Sequence, residues 1–191
     1  MILTALLLVT RLAAVEPEPA LNPTLRAELI GMRDADQEAR RRLLKDQKNE
    51  TLKKEVAAID ARNVARLREI LKTFGWPGKA LAGTDGAGAA WTVAQHGGQV
   101  FLQQTVPLMR AAAEHGDLDW SLVASSIDRV LLGAGRQQLY GTQFDTEGDK
   151  CAPKNVEQPE HLDERRKAVG LGPISEYAQI VCPAAKTAAK P

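Results

Sequence analysis

Apolar residues mark out five helices along this chain. Leu25, Leu29, Met32 and Ala35 recur at helical spacing, and the pattern resumes at Ala39, Leu43 and Leu44. Thr24 can cap this first helix, or Asn22 can cap it with Pro23 at the first helical position. Leu52, Val56, Ile59, Asn63, Leu67, Ile70 and Phe74 follow at near-heptad spacing after a break near Asn49. They predict a second long amphipathic helix, antiparallel to the first. Gly75-Trp76-Pro77-Gly78 ends it, with the tryptophan placed to plug a gap at the turn. A third helix is expected from Thr84 or Asp85 through Trp91 to Gln95-His96, where Gly97-Gly98 stops it. A fourth begins near Gln99, bends at Pro107 and ends at His115-Gly116.

The fifth helix, Asp119 to about Leu132, carries apolar residues around most of its perimeter and is therefore expected to be central and buried. It also carries Asp128 and Arg129. Adjacent helical residues point about 100° apart, so these two are poorly placed to pair with each other. Each is expected to need a partner from another element, because an unpaired buried charge is costly.

The polar stretch Gln137 to Phe144 follows. Gly141 suits a tight turn between two short strands, Gln138 to Tyr140 and Gln143 to Asp145, which gives a hairpin near 137–146. Cys151 to Val156 is a third extended candidate. A short helix starts at Pro159 or His161 and stops at Gly170, and one or two turns more run from Pro173 to Val181. The predicted class is mainly α with a small β element, about five helices around a buried central one. The expected single domain covers 21–183, with a flexible tail over 184–191.

Residues Met1 to Val9 are apolar but too short to span a bilayer, which takes about 20 residues. They resemble the apolar part of a secretory signal, although no Lys or Arg precedes them. Glu16-Pro17-Glu18-Pro19 reads as a solvated linker, so 1–20 is expected to be signal and linker. That makes the protein secreted or periplasmic; without a signal it would be cytoplasmic.

Composition narrows the picture further. With 191 residues and only 4% aromatics, one core built mostly of Leu, Val, Ile and Ala is expected. A net charge of +1 gives no overall electrostatic case for nucleic acid or an anionic membrane. Arg26 to Lys72 holds 13 basic and 9 acidic residues, which reads as a solvated helix face. Cys151 and Cys182 fit no zinc spacing. They would pair in an oxidising compartment and stay apart in the cytosol.

No His-Glu-x-x-His, Gly-x-Ser-x-Gly, phosphate-binding glycine loop or strand-preceded dinucleotide fingerprint occurs, so no cofactor or metal is expected. What remains is Gln95, His96, Asp128, Arg129, Tyr140, Thr142 and Gln143. Gly75-Trp76-Pro77, Gln95-His96, Asp128-Arg129 and Tyr140-Gly141-Thr142-Gln143, in that order, resemble the domain-of-unknown-function family numbered 6624. Asp36-Gln37-x-x-Arg40 and Arg165-Arg166-x-x-x-Gly170-Leu171 fit the same resemblance, which spans roughly Leu25 to Tyr177. It implies a shared fold and a shared site, and no activity. The two cysteines depart from its pattern.

Two readings of the polar set stand side by side. In the first, it serves a binding or interaction module for a small polar ligand or a protein, with Gln95, Arg129, Tyr140, Thr142, Gln143 and Arg165 as contacts. In the second, His96 and Asp128 meet and run acid–base chemistry as a metal-independent hydrolase or lyase. The same side chains also fit a closed network that only ties the helices together.

Overall fold

A computed structural model describes residues 21–146 and 151–182. The apolar segment Met1 to Val9, the linker after it and the tail over 184–191 lie outside the described residues. The chain is mainly α with a two-stranded sheet: α1 is Pro23–Lys45, α2 Glu50–Phe74, α3 Lys79–His96, α4 Gln99–Glu114 and α5 Trp120–Gly133. Then come β1 (Phe144–Asp145), β2 (Ala152–Pro153), a 3₁₀ turn at Pro159–His161, α6 (Leu162–Ala168) and α7 (Ile174–Val181).

The first two helices start as their sequences direct. The side chains of Asn22 and Asn49 accept from the backbone N–H of Leu25 at 3.0 Å and of Leu52 at 3.1 Å. Pro23 occupies the first turn of α1, where its missing N–H costs nothing. Ion pairs then set the direction of the pair. Glu28 meets Arg66, Arg40 meets Asp60, and Arg42 meets Glu55, so rising numbers on α1 meet falling numbers on α2. The dense Arg40-Arg41-Arg42 cluster is thus matched residue by residue with carboxylates, since Arg41 pairs with Glu38.

The central helix is α3, not α5. It buries Ala82, Gly86, Ala87, Ala89, Ala90, Val93 and Ala94. Small side chains let its neighbours approach closely. A Cβ at Gly86 would lie 2.9 Å from the Ala82 methyl and 3.4 Å from the Arg26 side chain of α1. The helix also starts earlier than its caps suggest, running back to Lys79 across a non-helical Gly83 at φ +71°. α5 buries one face, Val123, Ala124, Ser126, Ile127 and Asp128, while Val130, Leu131 and Leu132 are only partly covered. Its apolar perimeter is therefore spread between the core and the surface.

The small sheet pairs Phe144 with Pro153 and Asp145 with Ala152, antiparallel. Gln138 to Tyr140 do not form its partner strand. Gln138 makes only a parallel bridge to Val156, and its buried side chain does the closing work. Its Nε2 donates to the carbonyls of Gln143 and Lys154, and its Oε1 accepts from the Gln143 N–H at 3.0 Å. Gly141 does take the positive φ expected of it, +66°. Leu162 and Ile174 methyls stand 3.1 Å from where a Cβ would be.

A disulfide joins Cys151 to Cys182, with Cα atoms 5.8 Å apart, and ties β2 to the end of α7. Its loop spans 31 residues, so loop closure alone is worth roughly 3.5 kcal/mol. Thiol titration should find no free cysteine in the native protein and two after reduction, with a lower melting temperature. Among the described residues no helix is long and apolar enough to cross a membrane.

Candidate functional site

The polar centre of the molecule lies where α1, α2 and the end of α3 meet. Asp36 is 2% exposed and sits one helical turn before Arg40 on the same face. Its Oδ1 accepts from Arg40 Nε at 2.8 Å, and its Oδ2 accepts from Gln37 Nε2 at 2.9 Å. His96, the last residue of α3, places Nδ1 2.7 Å from the same Oδ2. Arg40 continues through Nη2 to Asp60 on α2 at 2.5 Å.

Proton counting settles how His96 is held. Arg40 Nε carries one hydrogen and lies 2.8 Å from the carboxylate but 3.0 Å from His96 Nδ1. The charged oxygen is the better acceptor. Burial pushes the Asp36 carboxyl up, but the His96 charge and the donors from Arg40 and His96 outweigh it and hold it below the ordinary range. An ionised Asp36 can only accept, so the 2.7 Å contact requires the hydrogen on Nδ1. Nε2 is then the nitrogen left for chemistry, and it has no partner among the described residues. Asp60 behaves oppositely: burial, helped by the neighbouring Asp36 charge, raises it despite Arg40.

Beside His96 opens a cleft of about 320 Å³ between α1, α3 and α5. Arg33 and Gln37 line it from α1, Trp91, Gln95 and His96 from α3, and Arg129 from α5. Gln95 is 7% exposed, and its Nε2 donates to Ser126 Oγ at 2.6 Å. The Ser126 hydroxyl spends its single hydrogen on the Leu122 carbonyl at 2.9 Å and also accepts from Trp91 Nε1 at 3.0 Å. Trp91 Nε1 also donates to the Leu122 carbonyl at 3.0 Å, and the second amide atom of Gln95, Oε1, is buried without a donor. Such a group is costly to leave unpaired. Arg33 is paired with Asp34 at 2.8 Å, whereas Arg129 forms no ion pair among the described residues.

The structure divides the expected set in two. Gln95, His96 and Arg129 line the cleft. Asp128, Tyr140, Thr142, Gln143 and Arg165 belong to the 137–144 turn. Asp128 is fully buried and is not the partner of His96. Its Oδ1 accepts from the backbone N–H of Leu139 at 2.8 Å and Tyr140 at 3.0 Å. Its Oδ2 accepts from the Thr142 N–H at 2.9 Å and hydroxyl at 2.8 Å. Gln143 Nε2 donates to Thr142 Oγ1 at 3.1 Å, and Arg165 Nε to the Leu139 carbonyl at 2.9 Å. These bonds fold the turn and do not face the His96 cleft.

Arg129 is exposed instead of buried. The 100° step between neighbours explains both outcomes: Asp128 turns inward to the loop and Arg129 outward to the cleft. What sequence reasoning missed is the role of Asp36 and Arg40 as the holders of His96. A signal was present. In the series Leu25, Leu29, Met32, Asp36, Ala39, Leu43, the aspartate occupies a stripe position that the apolar pattern reserves for a core residue.

A model of a family of unknown function, DUF6624, matches residues 23–189, from the start of α1 past the end of α7. The chain belongs to the DUF6624 family. No curated protein and no solved structure matches it. Among the described residues, no group of three His, Cys, Asp or Glu side chains is placed to hold a metal ion.

Proposed function

We propose that the cleft between α1, α3 and α5 is a binding site for a small polar ligand with an anionic group. The observation that carries this is the convergence on one opening of Arg129, a cation with no ion pair among the described residues, and His96, whose Nε2 has no partner among them. The ligand's anion meets Arg129, and an N–H or O–H beside it donates to His96 Nε2. Charge-assisted bonds of this kind contribute about 1.5–3 kcal/mol each. Binding of a responsive anion from a panel of inorganic phosphate, citrate and glutamate should weaken at least about tenfold in Arg129→Gln. Glycerol should not compete. If no anion in the panel gives saturable amide shifts around the cleft, or if Arg129→Gln binds equally well, the reading fails.

A second reading goes further, and His96 favours it. The ring is oriented through Nδ1 by a buried carboxylate, the arrangement that prepares Nε2 as a general base or acid. A metal-independent hydrolase or lyase would then use His96 with Asp36 in the place expected of Asp128.

We also propose that the protein works in an oxidising compartment, after export. Support comes from the Cys151–Cys182 link and from the signal-like run Met1 to Val9.

A further inference from the structure

On the other side of Trp91 lies a second cavity, of about 200 Å³, which the His96 cleft does not use. Trp91, Leu122, Leu171 and Tyr177 give it apolar walls, and Ser125 and Arg166 give it polar ones. Arg166 is the unusual member. It is 3% exposed and has no carboxylate within ion-pair distance among the described residues. Its Nε donates to the Gly172 carbonyl and its Nη1 to the Tyr140 carbonyl, both at 2.7 Å. Its guanidinium carbon lies 5.2 Å from the centre of the Tyr177 ring.

These contacts use two of the five N–H groups of a guanidinium. Nη2 has no partner among the described residues and keeps an accessible face. A buried cation bonded only to neutral carbonyls carries a desolvation cost that a counter-ion would relieve. Burial lowers the Arg166 pKa from its usual range, with more distant negative groups opposing, which is the signature of a charge incompletely compensated.

We propose that this cavity binds a small carboxylate with an aromatic or branched apolar body, its carboxylate on Arg166 and its body between Trp91, Leu171 and Tyr177. The size suits such a ligand: a dry apolar cavity of roughly 150 Å³ already admits a benzene ring. A guanidinium presents parallel N–H groups that match a carboxylate. The inference is independent of the reading of the His96 cleft, because it shares no charged residue with it.

Benzoate is the direct probe, with benzyl alcohol as an uncharged body of similar size. Titrated into isotope-labelled protein, benzoate should give saturable shifts at the amides of Leu171 and Tyr177 and at Arg166 Nε–H. Benzyl alcohol should bind at least tenfold more weakly. Arg166→Lys should lose the binding, but it also removes bonds that hold the Tyr140 and Gly172 carbonyls, so it does not separate binding from folding. Ser125→Leu fills the cavity while leaving Arg166 in place, and it should weaken benzoate at least tenfold. Equal affinity for the two probes, unchanged binding in Ser125→Leu, or shifts centred on Arg129 and His96 would each overturn the proposal.

Discussion

Replacing Asp128 with alanine should lower the stability of the fold by about 5 kcal/mol, near the top of the range for a single substitution. One fully buried carboxylate accepts four hydrogen bonds, three from backbone N–H groups and one from a hydroxyl. Hydrogen bonds to a charged acceptor contribute about 1.5–3 kcal/mol each, and the full sum is reduced because water reaches part of the opened turn. Asp128→Asn keeps one oxygen but turns an NH₂ toward N–H donors, so it should recover less than half of the loss. Urea melts followed by circular dichroism measure both. The loss should track the turn: Gly141→Ala, at φ +66° against Leu162 and Ile174, should destabilise in the same direction but less.

The second large effect lies at Asp36. Asp36→Asn leaves the shape of the site nearly unchanged but offers an amide where His96 Nδ1–H found an anion. The ring then reverses its tautomer and puts its hydrogen on Nε2. For any substrate turned over at the cleft, kcat should fall on the order of 10³-fold. His96→Asn should fall as far, and the double variant no further, because the pair acts as a unit. A binding-only cleft would show ligand affinity changed little by Asp36→Asn and no turnover to lose.

Acidification separates the two carboxylates that share Arg40. Asp36 is held below its ordinary value of 3.8, so its contribution is present above that value and is lost as pH falls through the lower folded one. Asp60 is raised, so its charge costs stability at neutral pH, and acid relieves that cost. The stability gap between the native protein and Asp36→Asn should therefore narrow as pH falls through and below about 4.

Much of the fold was legible because helix periodicity, Asn caps and Gly stops all agree from Asn22 to Gly133. The central helix was misjudged for a definite reason. Apolar bulk marked α5, but close packing favours small residues, and the Ala/Gly run of α3 is what lets other helices approach. The hairpin was misplaced because Gln138 satisfies backbone groups through its side chain, which no alternation pattern reveals. In the site, Gln95, His96 and Arg129 were identifiable as polar groups among apolar neighbours. Asp128 attracted attention for the right physical reason, a buried charge in need of donors, and found them in its own following turn. Asp36 was hidden because its partner is 60 residues away in the chain. Only its intrusion into the apolar stripe of α1 announced it.

One hydrogen decides whether His96 is free to act at the cleft. Long-range ¹H–¹⁵N correlation on His96, recorded with the ring neutral, reads directly which nitrogen carries it. The geometry predicts Nδ1–H, donated to Asp36, with a bare Nε2 at the cleft, and reversal of that tautomer in Asp36→Asn. A neutral ring protonated on Nε2, with Nδ1 accepting from Arg40, would contradict it and leave His96 a structural member of the helix clamp.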